Sequence, residues 1–497
     1  MKKITAFLLV ILLLMIEIVL SSCADKTDPA DSLADTVADT SESADTNLPN
    51  TVEETVRYPD PVPELNLGND TITFLVMGEA YTAEWISRDV FAENDSTDPI
   101  ESAVFRRNKT LEEKYKCKIA EYRSNDTFND AKKDIISNTH EYKVLMCCKS
   151  DTLGLARNNL LQDLNDINGL DLSNPWWDQN LVENCSIGGR LFFATGDISV
   201  MDNDATWVMM FNKKLIEKYD LESPYKLVEE NRWTFDKMYE MMQKAHDDNN
   251  GNGKIDYDSD TFGFVTHDSS LDAFFYAAGL KVIAKDQDDM PYFPELNSEQ
   301  ISLVLDKSIK IWCDKTITSS ATRDGYSMMD LQKIFQEGRS LFFGEVMQLV
   351  FRLREMDIDF GLIPFPKFDS KQKNYGHFVH GVTALLSIPV NSENVEKIGM
   401  FVEAMAYESM YTLTPAYYET ALVGKYFRDP ESGDMLTIIL NSRTFDLGST
   451  HMFNWGSVGS LFGALLSRGS KTYASKYKGR IEKGKKELEK DIEKLLQ

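Results

Sequence analysis

Residues 98–123 read DPIESAVFRRNKTLEEKYKCKIAEYR and pass from a helix into a strand. Asp98 supplies a capping carboxylate, and Pro99 falls in the first helical turn, where a missing N–H leaves no bond unmade. Beyond Cys117, apolar and polar residues alternate, as on a half-buried strand. The pattern extends in both directions. DTITFLVMG (70–78) reads as a strand, FNDAKKDIISN (128–138) as a helix, YKVLMCC (142–148) as a buried strand and TLGLARNNLLQDL (152–164) as a helix. Strands alternating with helices predict an α/β layer with a mainly parallel sheet. The alternation resumes near 207–240 and 329–363. SENVEKIGMFVEAMAYESM (392–410) and the charged YKGRIEKGKKELEKDIEKLLQ (477–497) read as further helices.

The most polar stretch is DDNNGNGKIDYDSD (247–260). With Asp248 as its first position, oxygen side chains fall at Asp248, Asn250, Asn252 and Asp256, with Gly253 sixth and Lys254 seventh. This is the order of a calcium loop, in which alternate residues turn oxygens inward, glycine permits the sharp turn and residue seven offers its carbonyl. The twelfth position, which an EF-hand fills with a bidentate Glu, is Ser259, with Asp258 and Asp260 on either side. The stretch before it, WTFDKMYEMMQKAH (233–246), reads as a helix capped by Thr234, and TFGFVTH (261–267) as a strand. A helix–loop–strand calcium site follows, held by Asp248, Asn250, Asn252, the Lys254 carbonyl and Asp256. The same residue types also favour a solvated turn.

MKKITAFLLVILLLMI (1–16) has the charged start and short apolar core of a signal peptide, interrupted only by Glu17. Leu20-Ser21-Ser22-Cys23 resembles a lipobox, which places diacylglycerol on Cys23. Residues 24–64 hold 11 acidic and 2 basic residues among Ala, Ser, Thr and Pro. Such a segment buries too little apolar surface to offset its ordering entropy, so a disordered acidic tether is expected over 23–64. The expected location is the extracellular face of the cell membrane, lipid-anchored.

The whole chain carries 79 acidic and 53 basic residues, a formal charge of −26. A phosphate backbone would be repelled, so a nucleic-acid partner is excluded. The spacing of Cys117, Cys147, Cys148, Cys185 and Cys313 matches neither a zinc site nor a disulfide framework. No nucleophile elbow or phosphate loop is present. His377 and His380 in GHFVHG lie at a spacing more often met in ordinary polar residues than in metal ligands.

Several stretches together resemble one family. They are RNKTLEEKYKCKI (107–119), WVMMFNKKLIEKYDL (207–221), the helix and calcium-type loop of 233–264, FQEGRSLFFGEV (335–346), DIDFGLIPFP (357–366) and GVTALLSIPVNSENVEKIGMFVEAMA (381–406). In this order they are similar to the bacterial extracellular solute-binding proteins of family 1, the group that includes maltose-binding protein and serves sugar importers of the ATP-binding-cassette type. The resemblance implies an α/β, two-lobe, periplasmic-binding-protein-like clamp with discontinuous domains joined by a hinge. One lobe would combine 65–203 with 377–427, the other 204–376 with 428–497. It implies a monomer that captures a carbohydrate, an oligosaccharide by expectation, and hands it to a membrane permease without catalysis. Carried over position by position, the ligand would meet Ser150 and Asp151, then Asn203, Asp204 and Trp207 of the crossing segment. Gly344 and Glu345 would follow at a strand end, and Asn454 and Trp455 late in the chain. Tryptophans would stack on sugar faces, and carboxylates and amides would take the hydroxyls. Trp176 and Trp177 in NPWWDQN, and Tyr417 and Tyr418 in PAYYET, are alternates. Two other classes compete: a surface glycoside hydrolase, which needs a carboxylate pair across a cleft, and a structural or adhesive lipoprotein without a small ligand.

Overall fold

The computed structural model describes residues 57–497 except 82–84, 255, 296–297, 354–355, 357, 424–430 and 450–451. The expected signal peptide, Cys23 and the acidic tether as far as residue 56 lie outside the described residues; 57–64, expected to be disordered, instead packs on the body, where Arg57 pairs with Glu408 at 2.9 Å and Tyr115 Oη donates to the carbonyl of buried Val62.

Nine strands build two sheets: β1 (Asp70–Met77), β2 (Cys117–Ser124), β3 (Val144–Cys148), β4 (Trp207–Asn212), β5 (Phe262–Thr266), β6 (Thr318–Ser320), β7 (Ser340–Val346), β8 (Phe360–Ile363) and β9 (Ala384–Ser387). The first sheet has the order β9-β3-β1-β2 and the second β8-β4-β7-β5-β6. In the first, β1 runs parallel to both β2 and β3, with Phe74 opposite Val144 and Leu75 opposite Leu145. Strand β9 closes that sheet antiparallel to β3, pairing Ala384 with Cys148. In the second, β5 lies parallel to β6 and β7, while β4 is antiparallel to β7 and β8.

The local readings account for most elements. Helix Pro99–Tyr115 begins where Asp98 accepts from the backbone N–H groups of Ile100 and Glu101. Helix Phe235–Lys244 begins where Thr234 accepts from Lys237 N–H, and it buries Phe235, Met238, Met241 and Met242. The expected helix 152–164 is shorter, Lys149–Arg157. Asn159 takes a left-handed φ of 56°, and Leu161 then bridges to Pro389 in extended form. The stretch 261–267 is a strand, but every residue of β5 is buried, and so is every residue of β4, β7 and β8. Sheets covered by helices on both faces lose the polar alternation of a half-exposed strand.

Three chain segments run side by side where the two sheets are connected. Helix Met201–Asp204 leads into β4, and His380 donates its backbone N–H to Ala205 O on the return path to β9. The strand His377–Phe378 of that return path pairs with Arg443–Thr444. The C-terminal helix Tyr473–Leu495 packs on helix Ser298–Cys313 beside the second sheet and also on helix Lys149–Arg157, which follows β3. Among the described residues no helix is long and apolar enough to cross a membrane. Cys117, Cys147, Cys148 and Cys185 are buried free thiols, and Cys313 is a half-buried one.

Candidate ligand cleft

A cavity of about 610 Å³ opens beside the start of β4 and the end of β7. Its walls include Trp85, Trp207, His267, Glu345, Arg352 and His380. Most come from a strand end or a crossing, and Arg352 from the helical turn Phe351–Leu353 beyond β7. Trp85 lies in the loop after β1, His267 directly follows β5, Glu345 is near the end of β7, and Trp207 and His380 belong to the connecting segments. Carboxyl ends of strands at a change of strand order are where open α/β sheets place ligands.

Two polar groups in this wall lack partners. Trp207 is 1% exposed and Glu345 3%. Among the described residues Trp207 Nε1–H has no acceptor and Glu345 Oε2 no donor, although Val346 N–H donates to Glu345 Oε1 at 2.9 Å. Buried polar groups in native proteins are almost always paired, so an orphan donor and an orphan acceptor beside one cavity call for a ligand bearing both. Burial pushes the Glu345 carboxyl up to about 8, so at neutral pH it is largely protonated and can donate as well as accept. Burial also lowers the pKa of His267. Its Nδ1 lies 3.0 Å from Ser269 Oγ.

Of the residues expected at the ligand, Trp207 and Glu345 line the cavity, and most of the others are engaged elsewhere. Gly344 sits between strands, where an added Cβ would meet the Phe264 ring at 3.0 Å and Thr266 Oγ1 at 3.2 Å. Asp151 accepts from Tyr81 at 2.8 Å and also from Thr127, while Ser150 contacts Cys148 and Asp151. Asp204 does not line this cavity. It is fully buried, ion-paired with Arg88 at 2.7 Å, and accepts from Tyr417 Oη at 3.1 Å. Asn203 accepts from Arg443, whose guanidinium also pairs with Asp178 at 2.7 Å and Asp202 at 2.8 Å. These networks lie where the two sheets are connected, and only a tertiary pairing over long sequence separations creates them.

Trp455 and Asn454 also require correction. Trp455 is 1% exposed, stacks on Phe453 with ring centroids 4.6 Å apart, and donates Nε1–H to Asp491 at 2.7 Å. Asp491 also pairs with Arg157 at 3.0 Å, so this tryptophan belongs to the packing of the C-terminal helix. Asn454 is in the left-handed region, and its Oδ1 accepts from Ser460 N–H. The alternates Trp176 and Trp177 both donate to buried Glu403, at 3.0 and 2.9 Å. Tyr417 is occupied with Asp204, while Tyr418 lines a separate recess beside Asn203 and Arg443. Trp85, Arg352, His267 and His380 were absent from the sequence-based site. The position of Trp85 just after a strand end was the one available signal. His377 is buried, with Nδ1 2.8 Å from Ser442 Oγ and Nε2 accepting from Phe365 N–H.

The loop 247–260 folds around its own oxygens. Asp248 accepts from Asn252 and Gly253 N–H, and Asn252 Oδ1 accepts from Lys254 N–H. The side-chain amides of Asn250 and Asn252 both donate to Asp256 Oδ2 at 2.9 Å. Gly253 has φ 78°. The donor set of two carboxylates and two amide oxygens fits a hard cation. Asp260 is a staple: fully buried, it accepts from Asn249 and Asp256 N–H. No group of three or more His, Cys, Asp or Glu side chains suited to a metal occurs among the described residues.

The sequence profile of the bacterial extracellular solute-binding proteins matches residues 96–408. The chain belongs to this family. No curated protein matches it. Among solved structures, a sugar transporter protein from Rhizobium etli in an open conformation aligns with a TM-score of 0.53 at 13% identity, covering 85% of this chain and 99% of that one. A cyclo/maltodextrin-binding protein complexed with maltotetraose aligns with a TM-score of 0.53 at 12% identity, covering 86% and 97%. A family 1 solute-binding protein from Alicyclobacillus acidocaldarius aligns with a TM-score of 0.51 at 11% identity, covering 87% and 100%. The fold is thus the two-lobe clamp of this family, with one sheet in each lobe.

Proposed function

We propose that this solute-binding protein captures a carbohydrate, an oligosaccharide by preference, between its lobes and releases it to an ATP-binding-cassette importer. The observation that carries this reading is the pair of unpartnered buried groups, Trp207 Nε1 and Glu345 Oε2, in the wall of a cavity that also holds Trp85. A sugar supplies what they lack. Each hydroxyl both donates and accepts, and the apolar face of a pyranose suits an indole ring. Glu345 is the one carboxylate among the described lining residues. Glycoside hydrolysis ordinarily needs two, which favours binding over turnover. One relative in fold, the cyclo/maltodextrin-binding protein, holds maltotetraose.

Lobe 1 is assigned to 65–203 with 377–427 and lobe 2 to 204–376 with 428–497, with closure by rotation about the crossing near 204–207. Cys23 carries the lipid, and the tether as far as residue 56 spaces a monomeric body from the membrane. Calcium sits in the loop 248–256 and braces the second lobe, away from the sugar.

The test is a thermal-shift screen of the mature body against mono- and oligosaccharides, with peptides and organic anions as controls. A ligand at 100 times its dissociation constant adds about 2.7 kcal/mol of stability, and closure reduces the radius of gyration in solution scattering. If a peptide shifts the melting temperature and no sugar does, the carbohydrate assignment fails while the clamp stands. Turnover of a chromogenic glycoside overturns the binding reading.

A further inference from the structure

A second, larger cavity of about 1020 Å³ lies away from Trp207 and Glu345, bordered by the strand Arg443–Thr444 and by residues 367–376. Its described lining contains four cationic residues, Lys281, Lys367, Lys373 and Arg443, and no acidic one. In a chain of net charge −26 such a wall runs against composition. Arg443 is neutralised by Asp178 and Asp202. The three lysines are not. Lys281 donates to the amide oxygen of Asn184, and no carboxylate of a described residue lies within ion-pair distance of Lys281, Lys367 or Lys373.

Lys367 is the informative one. It is 2% exposed, donates to the side-chain oxygen of Asn231, and holds its ammonium 4.5 Å from the centre of the Tyr375 ring. An amide oxygen and a ring face compensate a buried charge poorly, and burying an ammonium without a counter-ion is costly. Burial accordingly lowers its pKa. The Tyr375 hydroxyl on the same wall is buried and has no hydrogen-bond partner among the described residues. Amides fill much of the remaining lining, including Asn180, Asn441 and Gln372.

We propose that this cavity is a second ligand site, separate from the sugar cleft, for a small molecule bearing an oxyanion on a hydroxylated body. The oxyanion, a carboxylate or a phosphate, would accept from Lys367 and the Tyr375 hydroxyl, Lys281 and Lys373 would supply field at the mouth, and the amides would take hydroxyls. Charge-assisted hydrogen bonds from a desolvated ammonium are stronger than neutral ones, so affinity should rest chiefly on Lys367.

Isothermal titration of the intact mature protein with glucuronate, inorganic phosphate and glucose tests the assignment. The expected result is saturable binding of glucuronate or phosphate, none of glucose at this site, and about tenfold weaker anion binding in Lys367→Gln. The tighter of the two anions identifies carboxylate or phosphate as the preferred group. Because Lys367→Gln disturbs a buried position, the double variant Lys281→Gln/Lys373→Gln provides a second reading and should weaken the anion about threefold. Glu345→Ala should leave anion binding unchanged. Absence of binding by both anions, equal affinity in wild type and both lysine variants, or loss of anion binding in Glu345→Ala would each overturn the proposal. The last result would move the anion to the cleft.

Discussion

Trp207 and Trp455 look alike by burial, each 1% exposed, yet they belong to different kinds of environment. Trp455 Nε1–H reaches Asp491, its ring lies flat on Phe453, and Asp491 is held in turn by Arg157. Among the described residues Trp207 Nε1–H has no acceptor, and a cavity lies beside it. Exposure therefore does not separate a packing tryptophan from a ligand-facing one in this fold. On the proposed reading, an unpaired indole N–H together with an adjoining cavity does; Trp312 Nε1 is unpaired too, but Trp312 lines neither of the two cavities nor the recess at Tyr418. A satisfied donor marks a finished core, while an unsatisfied one beside a cavity marks a contact awaiting its partner.

The largest effect that could break this contrast is on stability. Trp455→Ala is expected to destabilise the fold by about 3–5 kcal/mol, as for other buried tryptophans, and to leave sugar affinity per folded molecule unchanged. Chemical denaturation and titration of the same sample measure both. A folded variant that has lost its sugar would return Trp455 to the cleft.

Next comes Glu345→Ala, expected to weaken the cleft ligand about 30- to 100-fold, the range for losing a buried hydrogen bond that leaves its partner unsatisfied. Glu345→Gln keeps a neutral donor and acceptor and should lose less than about fivefold. Equal losses in the two variants would mean that Glu345 acts as an anion rather than as a neutral group.

Stability against pH sharpens the same point. The Glu345 carboxyl titrates near 8 when folded, against an ordinary value of 4.5, so the native state holds a proton that the unfolded state has released. Its stabilising contribution is present below about 4.5 and is lost as pH rises to about 8. Asp202, at about 7, and Asp446, at about 6, are displaced the same way by burial, so the slope of the wild type alone assigns nothing. The difference between Glu345→Gln and wild type does, and it should grow in favour of the variant from pH 5 to pH 8. A constant difference would show that Glu345 is ionised in the native state across this range, as it is in the unfolded one.

The smallest effect lies far from both tryptophans. At millimolar calcium, a loop of weak affinity adds about 1–2 kcal/mol. Chelation should then lower the melting temperature by about 1–3 °C, and Asp248→Ala should remove that sensitivity. Indifference of both proteins to chelator would make the loop a polar turn.

Much of the framework was readable because its signals are local. Asp98 and Thr234 cap the helices that follow them, and YKVLMCC is apolar enough to be an interior strand. The doubled asparagine at 158–159 was a readable stop that the expected helix 152–164 ignored. The cleft was less legible. Trp207 and Glu345 came from family likeness, Trp85 had only its place after a strand end to mark it, and His267 and Arg352 had no local mark, because segments that follow separate strands bring them together. Asp204 shows the limit most clearly. Its residue type and position suited a ligand contact, and only the fold reveals that Arg88 and Tyr417 already hold it.

Strand β9 has a consequence for the order in which the molecule can form. It completes the first sheet against β3, yet it lies far downstream, with all five strands of the second sheet intervening. As the chain emerges from its N-terminus, the edge of β3, with apolar Leu145, Met146 and Cys147, has no neighbour until Ala384–Ser387 arrives. Contacts of such long sequence separation form slowly, and an unpaired apolar edge is a template for pairing with other chains. The first sheet is thus a late finisher despite being begun first, and a shortened chain that stops before β9 should be recovered as aggregate rather than as half a clamp.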